Sequence, residues 1–169
     1  MLIVFTGEGK GKTSAALGIA LRASGHNMNT LIIQFMKKKG ISGEQNIPEG
    51  LLKNIDILPF GGEFLLEGDE KKGHVKLAQK AWHTMKEMLS KKTYHILILD
   101  ELTVAIKYGL IPLDIVMDFL KNLPYSMHII ITGRDAPCEL LNMSDIATEM
   151  KKIKHIFDKG ERAVLGIDY

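Results

Sequence analysis

The chain is poor in cysteine, poor in aromatic residues and nearly balanced in charge. Its one thiol, Cys138, has no second cysteine to pair with, which excludes an internal disulfide framework and fits a reducing compartment. Cys138 follows a proline and has no evident reaction partner, so it reads as an inert thiol. Lysine and arginine number 22 against 20 aspartate and glutamate. The resulting formal charge of +2 does not mark a nucleic-acid binder, and basic residues must be weighed locally. No apolar run approaches the roughly 20 residues of a membrane-spanning helix. The apolar stretch at the N-terminus is too short for a signal peptide and ends in glycines. No repeat, low-complexity tract or linker divides the chain. These absences predict a cytoplasmic protein with one domain over residues 1–169, long enough for a sizeable core, with no membrane or nucleic-acid partner.

What is present is an alternation of short apolar runs with helix-forming segments. "LIVFT" (2–6), "NTLIIQF" (29–35), "NIDILPF" (54–60), "HILILDE" (95–101) and "HIIITGR" (128–134) read as strands. Helical spacing marks 12–24, with Gly25 as a stop, and 73–92, with Val75, Ala78, Ala81, Trp82, Met85 and Leu89 on one stripe. A further helical stretch runs from about 103 to 121, and short segments finish at "RAVLGID" (162–168). Near-continuous apolar strands separated by helices predict an α/β fold, a mostly parallel sheet covered on both faces. Residues 36–72, interrupted by the strand near 55–59, form the one long irregular region, a surface segment of the kind that often carries function.

Between the first strand and first helix stands "TGEGKGKTSAALG" (6–18). It matches the phosphate-binding loop at Gly11, Lys12 and Thr13, although Thr6 occupies the position of the leading glycine. Gly7 and Gly9 are expected to supply the positive φ values of such a turn. With a strand before and a helix after, the backbone N–H groups of Gly7, Glu8, Gly9, Lys10 and Gly11 and the helix dipole predict a nucleotide-phosphate cradle. Lys12 adds a point charge and Thr13 a hydroxyl for magnesium. "ILILDE" ends in Asp100 and Glu101, carboxylates at the crevice end of a parallel strand, where such a pair holds magnesium. "ITGR" puts Arg134 at the same edge, as a triphosphate ligand or as one half of a structural ion pair.

The chemistry that follows stays open at this level. A hydrolase or small-molecule kinase needs a group to orient its attacking water or hydroxyl, and Glu101 is available for that. A non-catalytic nucleotide-dependent regulator is a further alternative. The six histidines are scattered and read as surface or capping residues. The run "MKKKG" (36–40) has no interleaved aromatics and reads as a solvated loop.

Taken whole, the sequence resembles the single-domain bacterial phosphate-loop type of ATP:corrinoid adenosyltransferase. The marks are "TGEGKGKTSAALG", "IIQFMK" (32–37), "GE" (43–44), "ILDEL" (98–102), "IITGRDAP" (130–137), "SDIATEM" (144–150) and "KHIFDKGERAVLGIDY" (154–169). The resemblance implies a P-loop NTPase-like, RecA-like fold. It implies transfer of the 5′-deoxyadenosyl group of ATP to the cobalt of a Co(I) corrinoid, with triphosphate released. It also implies Mg2+ or Mn2+ as cofactor, a flavoprotein electron donor and a homodimer. Lys12, Thr13 and Glu101 would carry catalysis; Thr13, Asp100 and Glu101 would hold the metal. In the family a phenylalanine and, two residues on, a tryptophan flank the corrin; here Phe64 keeps the aromatic and Leu66 stands where the tryptophan would be. Some relatives carry a helix before the first strand, whereas this sequence opens at the strand itself.

Overall fold

A computed structural model describes residues 1–48, 50–62 and 69–169. Phe64 and Leu66 lie outside the described residues. Six strands form one sheet: β1 (Leu2–Thr6), β2 (Thr30–Gln34), β3 (Ile55–Pro59), β4 (Ile96–Asp100), β5 (His128–Thr132) and β6 (Ile146–Glu149). Their order is β3-β2-β4-β5-β1-β6, and every neighbouring pair is parallel. This is the P-loop NTPase-like, RecA-like α/β arrangement.

The central strands β2, β4 and β5 are largely apolar because both of their faces are covered, and the period of two divides each between the faces. Ile32, Ile96, Ile98 and Ile130 point to one face and pack against Ala16, Ala20 and Ala23 of α1 (Lys12–Ser24). Leu31, Ile33, Leu97, Leu99, Ile129 and Ile131 point to the other. There they meet α2 (Asp69–Lys91), α3 (Leu102–Lys107), α4 (Leu113–Lys121) and α5 (Cys138–Met143). Alanines on α1 let that helix lie close to the sheet, so the loop before it is held tightly over the strand ends. On the opposite face, Trp82 of α2 stacks edge-on against Phe119 of α4 at 5.1 Å.

Several elements depart from the expectation. The stretch 103–121 is two helices, because Gly109 turns left-handed at φ 65° and Pro112 cannot continue the first helix. The helix expected over 73–92 begins earlier, at Asp69. Beyond residue 135 the short helix α5 and the edge strand β6 appear, the latter within the run "SDIATEM". Residues 162–168 form no regular structure, with a turn over 165–168. The first helix ends at Ser24, with Gly25 still right-handed at φ −61°.

The topology fixes where chemistry can sit. β1, β2, β4 and β5 all point their C-terminal ends to one edge, and β5 lies between the loop-bearing β1 and the acidic end of β4. Residues closing β5 therefore stand between the two halves of the expected site.

Candidate functional site

The loop after β1 is shaped by its glycines, but not quite as the sequence suggests. Gly7 and Gly11 take the positive φ values, 95° and 112°. Gly9 does not; it is needed because the chain passes close by, and a Cβ there would stand 2.5 Å from the Met150 carbonyl oxygen. The Gly9 N–H donates to that same oxygen at 2.6 Å, so this amide is committed to the segment after β6. Helix α1 then starts with no side-chain cap at Gly11, leaving first-turn N–H groups without a side-chain partner at the cavity.

Lys12 is buried, and its ammonium donates to the carbonyls of Gly7 at 2.6 Å and Gly9 at 2.8 Å. The side chain thus ties the loop that it also charges. Burial pushes its pKa down, aided by Arg134, against the opposing pull of Glu101, Glu8 and Asp100.

The acidic pair divides into two different groups. Asp100 is 1% exposed, and each of its oxygens is engaged. Oδ1 accepts from the Thr13 hydroxyl at 2.8 Å and the Thr132 hydroxyl at 2.7 Å. Oδ2 accepts from the Gln34 amide at 3.3 Å and lies 3.6 Å from the Lys37 ammonium. Asp100 therefore orients Thr13 rather than facing the cavity. Glu101 does line the cavity. Its backbone is left-handed at φ 58°, an uncommon conformation for a residue with a side chain, and its N–H donates to the Thr132 hydroxyl at 3.0 Å. Burial raises the Glu101 carboxyl, as does the neighbouring Asp100, while Lys12, Lys37 and Arg134 pull it down by less.

A third group joins the site from the end of β2. Gln34 is fully buried; its amide nitrogen donates to Glu44 at 2.8 Å and its oxygen accepts from Gln45 at 2.8 Å. Lys37 donates to Glu44 at 2.7 Å. Burial would raise the Glu44 carboxyl, but the hydrogen bonds from Lys37 and Gln34 outweigh it and hold the group below its ordinary value. Lys37 is thus no member of a solvated lysine run. Sequence reasoning passed over Gln34, Lys37 and Glu44 as site residues. The signal was an amide closing an otherwise apolar strand, a polar group that must find buried partners.

These elements surround a cavity of about 910 Å3, lined by Glu8, Gly9, Lys10, Gly11, Lys12, Thr13, Lys37, Glu44, Glu101 and Arg134 and closed on one side by residues of 152–169. Gly7 and Asp100 lie behind this wall. Arg134 stands at the mouth, its guanidinium 3.2 Å from Glu8 with both side chains more than half exposed. Such an exposed pair is weak, so an anion can compete for the arginine. Lys10 forms an ion pair with Asp168, which anchors the chain's last turn against the loop.

The donor set suits a hard divalent cation. Thr13 supplies a hydroxyl and Glu101 a carboxylate at the cavity, while Asp100 supports Thr13 from behind. Among the described residues no three His, Cys, Asp or Glu side chains form a group able to hold a metal by themselves. A cation here would take most of its ligands from phosphate and water, which is the habit of magnesium.

The chain is similar to known proteins along its whole length. Residues 1–169 match the family described as ATP:corrinoid adenosyltransferase BtuR/CobO/CobP. The Corrinoid adenosyltransferase of Escherichia coli (strain K12) is 36% identical over 169 residues, covering 100% of this chain and 85% of that protein. The Corrinoid adenosyltransferase CobA of Salmonella typhimurium is 37% identical with the same coverage, and the Pseudomonas aeruginosa protein is 31% identical over 169 residues, covering 83% of its length. This chain belongs to the ATP:corrinoid adenosyltransferase family.

Proposed function

We infer that this protein transfers the 5′-deoxyadenosyl group of ATP to the cobalt of a Co(I) corrinoid, the step that forms adenosylcobalamin. The observation that carries the reading is the Lys12–Thr13–Asp100 arrangement at one cavity, within a chain that matches the family along its whole length. The Co(I) centre attacks C5′, the bond from C5′ to the triphosphate oxygen breaks, and triphosphate leaves with the bonding pair. Co(I) is itself the nucleophile, so the protein needs no general base, in keeping with a cavity whose described lining has lysines, an arginine and oxygen ligands but no hydrogen-bonded nucleophile–base pair.

The chain's own work is positioning and leaving-group stabilisation. The loop from Gly7 to Gly11 cradles the phosphates, with Glu8 and Lys10 at its rim. Lys12 holds the loop closed through the Gly7 and Gly9 carbonyls and places a buried positive charge beside the leaving group. Arg134 exchanges Glu8 for a phosphate oxygen at the mouth. Thr13 and Glu101 hold the divalent cation, Mg2+ or Mn2+, and Asp100 aims the Thr13 hydroxyl. That cation, when bound, neutralises charge on the triphosphate as it leaves. Phe64 and Leu66, which lie outside the described residues, are assigned to the corrin on the family resemblance alone. The protein works as a single-domain homodimer in the cytoplasm and takes electrons for cobalt from a flavoprotein; no helix among the described residues is long and apolar enough to cross a membrane.

Product analysis tests this reading against an ATPase or kinase. With ATP, magnesium and reduced corrinoid, the phosphate product is inorganic triphosphate. Accumulation of ADP would contradict the assignment.

A further inference from the structure

We propose that Lys37 is a third phosphate-binding cation of the site, entering from the β2 side and opposing Lys12 across the triphosphate. The proposal rests on the nucleotide reading above and adds to it a residue outside the phosphate loop and the acidic strand.

Lys37 is held by its backbone before its side chain does anything. The Gly61 N–H donates to the Lys37 carbonyl at 2.8 Å. The two segments are so close that a Cβ on Gly61 would lie 2.4 Å from Lys37 backbone atoms. Three residues earlier, Gln34 is fixed by Gln45, Glu44 and Asp100. The lysine therefore projects from a rigid stem, which is what a binding group needs if it is to be in place before its ligand arrives.

Its ammonium then sits between two carboxylates, 2.7 Å from Glu44 and 3.6 Å from Asp100, while the side chain remains 24% exposed and lines the cavity. An ammonium has three N–H donors, and two acidic neighbours leave one for a phosphate oxygen. Lys12, Lys37 and Arg134 all act electrostatically on the same carboxylate, Glu101, so the three cations share a single field. Lys12 comes from the loop after β1, Arg134 from the end of β5 and Lys37 from the end of β2. The cations thus approach from three strand ends, and an anion between them is bracketed rather than touched on one side. Glu44 and Gln34 are positioning residues in this arrangement: they hold the lysine in place.

The test is titration of inorganic triphosphate with magnesium into the purified protein and its variants, followed by calorimetry. Lys37→Met should bind about 10- to 100-fold more weakly, the usual range for one charge-assisted hydrogen bond. Lys37→Arg should keep most of the affinity. Glu44→Gln should bind at least as tightly as the parent, since its amide oxygen still accepts from the ammonium and holds the lysine while a negative charge is removed from the cavity wall. The decisive variant is Lys37→Met combined with Glu44→Gln, in which Glu44 is not left as a stranded carboxylate and Asp100 keeps its hydrogen bonds from Thr13, Thr132 and Gln34. It should remain as weak as Lys37→Met alone. Recovery of affinity in the double variant would show that Lys37 serves only to neutralise Glu44, and would overturn the proposal. So would wild-type affinity in Lys37→Met. If Lys37→Met fails to fold, the same comparison is made with Lys37→Gln, which can still hydrogen-bond Glu44. If the parent protein binds no triphosphate, the phosphate-site reading fails and the Lys37 proposal fails with it; loss confined to the Lys37 variants supports both.

Discussion

The hydroxyl of Thr13 donates to Asp100 Oδ1 across 2.8 Å, so the helix after the loop and the strand ending in the acidic pair meet in one hydrogen bond. Thr132 donates to the same oxygen at 2.7 Å, and with its own oxygen accepts the Glu101 N–H. In the proposed mechanism Asp100 would act on a cation through Thr13, whereas Glu101 would reach it directly. Asp100→Asn, Thr13→Ala and Glu101→Gln should each raise the magnesium concentration for half-maximal transfer, by about 10- to 100-fold for a partner behind the ligand. Metal titrations unchanged in all three would make the pair structural.

Lys12→Ala should lower the transfer rate about 100-fold or more, the usual effect of removing one preorganised charge contact. Since the lysine also ties the Gly7 and Gly9 carbonyls, a modest fall in Tm should accompany the loss, with the circular dichroism spectrum unchanged. A near-normal rate would remove Lys12 from the site.

Gly9→Ala tests the close approach of the segment after β6. The added methyl would meet the Met150 carbonyl oxygen and the Lys151 backbone, neither of which can rotate away. Overpacking of this kind costs about 1–3 kcal/mol. Thermal melts should show the loss, and ATP affinity should fall with it. Parental stability in the Gly9→Ala variant would mean that the loop and residues 150–151 are not held together in solution.

The sheet and the loop were legible because both are written locally. Ile96–Asp100 is an unbroken apolar run ended by acid, and Gly11-Lys12-Thr13 sits between a strand and alanines with helical spacing. What was not legible depends on partners distant in sequence. Lys37 looked like one of three solvated lysines, and its role follows only from Glu44 and Asp100 arriving beside it. β6 escaped because its four residues are all exposed and carry no apolar alternation, so only pairing with β1 makes them a strand. Likewise, Gly9 reads as a conformational glycine in the sequence, whereas its requirement comes from the Met150 backbone packed against it.

Glu44 gives a pH dependence with a definite sign. Its folded pKa lies below the ordinary value of 4.5, because the hydrogen bonds from Lys37 and Gln34 outweigh its burial. A depressed carboxyl contributes stability that is present above pH 4.5 and is lost as pH falls through the folded value. Urea unfolding of Glu44→Gln should therefore show a smaller loss of stability than the parent as pH falls below about 4.5. Identical slopes for the two proteins would mean that the carboxylate has no partner in the folded state.

If ATP is split at C5′, its adenosyl group must end on cobalt and its three phosphates must leave together. The direct measurement is to mix the protein with ATP, magnesium and chemically reduced cob(I)alamin, and to follow the corrinoid spectrum together with the phosphate products. Adenosylcobalamin and inorganic triphosphate should form in equal amounts, with both lost in Lys12→Ala. ATP consumed to ADP and phosphate while the corrinoid spectrum shows no adenosyl product would contradict the assignment.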